Sequence, residues 1–203
     1  MKTETDLLHL KLQGFCLIIA PLLFLISTFF WIDGQYGITA ATLICLSIVF
    51  WIPAFYALFG LLKYSMPYYA AIGLLIAIYG CCMGGMGFGM LGYLSAIFKI
   101  SHHSYLVILQ QYPITSGLLL FWSGPLFPLS LLVLSVNLIR KKAVPVWLGA
   151  LICLAAIAFP ASRIPRIALI AHLADVLLLI PLLIIGIRFI KTKEVINAKI
   201  KKD

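Results

Sequence analysis

Six long apolar runs, separated by short polar stretches, leave this chain few folds to choose from. They lie at about residues 14–32, 38–62, 69–98, 114–139, 144–160 and 168–190. A helix needs about 20 apolar residues to cross a bilayer's ~30 Å of hydrocarbon, and each run is near or beyond that length. A soluble helix would confine its apolar side chains to one face at a 3.6-residue period, whereas these runs are apolar on every side. With 64% hydrophobic and 10% charged residues, the chain lacks the polar groups to cover a water-facing surface. The expected fold class is all-α: a polytopic membrane protein, a six-transmembrane-helix bundle forming a single membrane domain.

A net charge of +9 would point a soluble protein toward nucleic acid. Taking the runs as spans explains the charge differently. Twelve of the fifteen basic residues, Lys11, Lys63, Arg140, Lys141, Lys142 and Arg188 among them, fall on one side, and Lys99, Arg163 and Arg166 on the other. This positive-inside asymmetry predicts that the N- and C-termini are cytoplasmic, with residues 191–203 a basic cytoplasmic tail. Membrane lipids are then the expected neighbours, the cell inner (plasma) membrane the expected location, and nucleic acid is not expected as a partner. The five cysteines all lie inside apolar runs, where they are expected as free thiols. The first run leads into the bulky Phe29-Phe30-Trp31 rather than small residues, so it reads as a retained span.

Local signals divide the runs. Asp33-Gly34 marks a turn after the first, and Pro67 falls in a short turn before the third. Residues 69–98 would measure about 45 Å as one helix, so this run must tilt, protrude or break. Residues 99–113 form an external connection whose apolar piece, Tyr105 to Leu109, is too short to span and suits the interface. Pro125 and Pro128 stand in the middle of the fourth run, and Pro145 suits the first turn of the fifth.

Asp175 is the one carboxylate inside any run. Near the bilayer centre an aspartate costs roughly 2.5–3.5 kcal/mol, so it should face the bundle interior or a wet cavity. His172 lies three residues earlier on the same helical side, which permits a carboxylate–imidazole contact. Pro181 follows and removes a helical hydrogen bond. Asp33, Arg163 and Arg166, with His102 and His103, form an external polar group that would ring an entrance, the arginines suited to an anionic headgroup or acidic solute. Asp175, His172, Arg166, Arg163 and Asp33 are therefore the candidate ligand-binding residues. A second set concerns packing: Gly80, Gly84 and Gly87 share one face of the third run, and Gly85, Gly89 and Gly92 another. Such stripes let neighbouring helices approach closely, whether within the chain, in a homo-oligomer or with another membrane partner.

No catalytic set is legible. The serines lie outside any G-x-S-x-G turn, and the histidines have neither H-E-x-x-H nor matched intramembrane spacing, so neither metal nor haem is expected as a cofactor.

The stretches Gly124-Pro125-Leu126-Phe127-Pro128, Arg140-Lys141-Lys142 and Val144-Pro145-Val146-Trp147-Leu148-Gly149 resemble uncharacterised bacterial multi-spanning membrane proteins of unknown function, over about the last 80 residues. The resemblance implies an inner-membrane helical bundle and supplies no activity. The leading expectation is binding or translocation of a small solute, proton or lipid through an outward-opening polar cavity around Asp175 and His172. Two alternatives stand beside it: a lipid-modifying enzyme at the outer leaflet using His102, His103 and Asp33, and a structural or assembly subunit.

Overall fold

The computed structural model describes the backbone of residues 4–200 and the side chains of 5–101 and 104–191. The chain is overwhelmingly helical. α1 (Glu4–Thr28) is joined to α2 (Ile38–Gly60) by a small hairpin, β1 (Trp31–Ile32) and β2 (Gln35–Tyr36). α3 (Pro67–Tyr79), a π-helical segment π1 (Gly80–Met86) and α4 (Gly87–Phe98) run on as one rod. α5 (His102–Gln110) and α6 (Pro113–Ser116) follow, then a second π segment π2 (Gly117–Phe121), α7 (Leu126–Arg140), α8 (Val146–Arg163) and α9 (Ala168–Ile200). Five of the described helices are long and apolar enough to cross a membrane, and a sixth span results if the bent pair 113–121 and 126–140 counts as one. The chain is thus a multi-pass membrane protein.

The spans close into a ring: α2 packs on α1, α1 on α9, α9 on α8, α8 on α7, α7 on the α3–π1–α4 rod, and that rod returns to α2. Inside the ring lies an aromatic cluster in which Trp51 and Phe55 are fully buried and Phe24 and Phe127 nearly so. Phe127 meets the Trp51 ring edge-on at 5.0 Å and the Phe159 ring at 5.3 Å, the offset geometry that aromatic quadrupoles favour. Large apolar side chains such as Leu75, Ile72 and Leu154 point outward and stay exposed, as a surface solvated by acyl chains requires.

Several boundaries differ from those expected, each for a local reason. The first span begins as helix at Glu4 and ends at Thr28, because Asp33 (φ 48) and Gly34 (φ 72) both take the left-handed conformation of a two-residue hairpin loop and draw residues 31–32 into a strand. The fourth span is broken and bent by 43°. Pro125 has no N–H for the carbonyl of Phe121, the Trp122 N–H reaches back to the Gly117 carbonyl, and the Leu118 carbonyl instead accepts the Tyr79 hydroxyl at 2.6 Å. The fifth span runs a turn past its expected end to Arg163. That makes Arg163 the last residue of a helix rather than part of a loop. α9 continues as helix to Ile200, well into the basic tail.

Two glycines of the rod, Gly80 and Gly84, lie against backbone. A Cβ on Gly80 would fall 2.7 Å from the Phe127 nitrogen, and one on Gly84 only 2.5 Å from the Gly124 Cα. Gly87 faces Leu120, while Gly85, Gly89 and Gly92 face Ile48, Cys45 and Tyr36. One set therefore seats the rod against π2 and the start of α7, the other against α2 and the hairpin. A further contact lies outside these stripes: α1 and α9 cross where Gly14 meets Gly186, and a Cβ on either would come within 2.7 Å of the other's carbonyl oxygen. All five cysteines are free.

Candidate functional site

Two helix ends converge on Asp175, two turns into α9. Its side chain is completely buried. The Thr28 hydroxyl, at the end of α1, donates to Oδ2 at 2.7 Å, and Arg163 Nη2, at the end of α8, donates to Oδ1 at 2.8 Å and to Oδ2 at 3.0 Å. A charge that would be costly in hydrocarbon is thereby paired and bonded. Arg163 is itself only 10% exposed. Its guanidinium lies between two aromatic faces, 4.9 Å from the Trp31 ring centre and 4.8 Å from that of Phe159, an arrangement that suits a planar, weakly hydrated cation.

One nitrogen of Arg163 takes both carboxylate oxygens, and that choice determines what the other does. In the usual fork each oxygen meets its own N–H group. Here Nη2 serves both, and Nη1 is buried with no hydrogen-bond partner among the described residues. Arg166 repeats the pattern. Held in the left-handed conformation (φ 60), with Gly34 tight against its Cβ and carbonyl, it lies 4.2 Å over the Tyr36 ring, and its Nη1 is likewise buried without a partner. Tyr105 of α5 stands close by. Burial lifts its phenol above its ordinary value, against the opposing pull of the Arg166 cation.

Both arginines line a cavity of about 360 Å³ inside the ring, within the range of small-ligand sites. The rest of its wall is almost entirely apolar: Phe24, Phe88, Phe121, Phe127 and Phe159 contribute rings, and Gly84, Gly85, Gly124 and Pro125 contribute bare backbone. Neither Asp175 nor His172 is part of that lining; Arg163 stands between the carboxylate and the space. The cavity is therefore apolar with a cationic end, where a polar chamber floored by Asp175 and His172 was expected.

The remaining predicted residues fall around this group. His172 is half-buried against the Phe29 ring at 4.3 Å, and its Nδ1 is buried without a partner. Asp175 takes its hydrogen bonds from Thr28 and Arg163, a pairing made across helices, while His172 lies within electrostatic reach of it. Asp33 is exposed on the hairpin turn, while its neighbour Gly34 touches Arg166. His102 and His103 open α5, and their side chains lie outside the described residues. Among the described residues no group of His, Cys, Asp and Glu is placed to hold a metal ion. Sequence reasoning missed Thr28, Trp31 and the aromatic walls. A hydroxyl at a span end is too common to stand out, and every span supplies phenylalanine.

Comparison of the chain with protein-family models, with curated proteins and with solved structures returned no match.

Proposed function

We propose that this chain is a six-span bacterial inner-membrane protein, both ends cytoplasmic, that binds an amphipathic anion of lipid class. The apolar part would occupy the aromatic cavity and the anionic group would pair with Arg163 and Arg166. One observation carries the reading: two arginines line an otherwise apolar space, and a guanidinium nitrogen of each is buried without a partner among the described residues. Leaving a buried donor unmade costs about 1–3 kcal/mol, and more for a charged group, so an anion that accepts from both nitrogens recovers that cost twice. A wholly polar solute is disfavoured by the same wall, which is built mostly of rings and aliphatic groups. The twelve-to-three distribution of basic residues supports an outward-facing arginine end. Among the expectations drawn from sequence, a lipid ligand is thus favoured over a proton or a small polar solute.

Trp51 provides the test. It is fully buried and packs on Phe24 and Phe127, which line the cavity, so surrounding lipid does not reach it. In nanodiscs of zwitterionic lipid, a fatty acid brominated on its chain should quench the tryptophan emission that Trp51→Phe removes. The brominated alcohol of equal length should do so only at concentrations at least ten times higher. Quenching that is equal for acid and alcohol, or absent for both, would refute the proposal.

A further inference from the structure

The arginine end of the cavity offers two donors, yet its charge is smaller than its donor count. Arg163 and Arg166 contribute two positive charges, and Asp175, completely buried behind Arg163 and bonded to its Nη2, cancels one. Among the described residues at this end, Asp33 and Lys99 are exposed, where water and salt screen them. His172 packs on Phe29 and is outside the lining. Among the described residues, the arginine end of the cavity thus carries a net single positive charge, with an unpartnered Nη1 of each arginine buried beside the space.

We infer that Asp175 sets the charge of the ligand, so that the site selects a singly charged head group, a carboxylate or a phosphodiester, over a doubly charged phosphate monoester. The inference rests on the proposed binding of an amphipathic anion at this site. A monoanion has at least two acceptor oxygens, enough for both free nitrogens, and brings the buried charge to zero. A dianion satisfies the same nitrogens but leaves one negative charge uncompensated against phenylalanine and glycine, where such charges are most costly. Asp175 is therefore a specificity-determining residue that need not touch the ligand, because it acts through the charge balance of Arg163.

The experiment compares three brominated amphiphiles of one chain length in the Trp51 quenching assay: the carboxylate, the phosphate monoester and the alcohol. At pH 8 a phosphate monoester, with a second pKa near 6, is a dianion. The wild-type protein should bind the carboxylate at least tenfold more tightly than the monoester. Asp175→Asn raises the site to two positive charges in nearly the same shape, and should move the ratio of the two affinities at least tenfold toward the monoester. Arg166→Gln brings the site to zero and should remove the advantage of carboxylate over alcohol, which keeps the inference open to refutation should Asp175→Asn fail to fold. The same comparison in His172→Phe, where no imidazole charge can enter, should reproduce the wild-type order. Equal or tighter binding of the monoester by the wild type, or an unchanged ratio in folded Asp175→Asn, overturns the charge inference while leaving anion binding intact. An alcohol that binds as well as either anion removes the proposed function itself. Arms with free fatty acid and with a brominated anionic phosphodiester lipid tell which source of a single negative charge the cavity accepts, and binding of neither overturns the inference.

Discussion

Removing the Asp175 carboxylate should destabilise the fold far more than removing the whole pair. Asp175→Ala takes away the acceptor of both charged Arg163 Nη2 bonds and of the Thr28 hydroxyl, and leaves a guanidinium that is 10% exposed with only a long 3.5 Å contact from Nη2 to the Thr28 oxygen. Breaking a buried ion pair from one side costs about 3–5 kcal/mol, and Arg163→Met should cost a similar amount by stranding the carboxylate. Replacing both, as Asp175→Leu with Arg163→Met, removes the two desolvation penalties together, and exchanges of that kind are often neutral or stabilising by about 1–4 kcal/mol. The double variant should therefore unfold within about 1 kcal/mol of wild type or above it, a coupling of about 6–10 kcal/mol set by the two one-sided penalties. Reversible unfolding in mixed micelles, followed by Trp51 emission, measures all three. Single variants that each lose less than about 1 kcal/mol, the value of an exposed pair, would mean that water reaches these groups and that the Arg163–Asp175 pair is not desolvated.

Other consequences are equally open to measurement. Gly84→Ala, whose Cβ would lie 2.5 Å from the Gly124 Cα, should destabilise by about 1–3 kcal/mol because backbone cannot yield as a side-chain tip does; Gly60→Ala, with nothing within 4 Å, should be neutral or stabilise by up to about 1 kcal/mol in the same unfolding assay. Gly186→Ala should push α9 from α1 and also lower stability, since its Cβ would meet the Gly14 carbonyl oxygen at 2.6 Å; an unaffected variant would show that the crossing is loose. For topology, Gln35→Cys and Ser65→Cys are both at exposed positions. On intact bacterial cells an impermeant maleimide should label the first, and the second only after permeabilisation; the reverse pattern would invert the proposed orientation.

What could be read directly from the residues was set by short-range chemistry. Apolar runs longer than a soluble helix face requires mean helices that cross a bilayer, Asp33-Gly34 means left-handed backbone and a tight turn, and a lone aspartate in hydrocarbon must find a partner. These conclusions need no knowledge of how the helices rotate. The partner itself did need it. Arg163 is twelve residues from Asp175 and was expected in a loop, yet it reaches the carboxylate because α8 runs on past Pro160 and packs against α9. The i, i+3 spacing favoured His172, but helical register says only that two side chains share a face; here α8 and α1 approach that face and supply better donors. The Gly14–Gly186 crossing, the wall built from five phenylalanines on different helices, and the kinked fourth span belong to the same class. Each depends on which faces of distant segments meet, and in lipid that is decided by close packing and by the pairing of a few polar groups rather than by hydrophobicity, which is nearly uniform along every span.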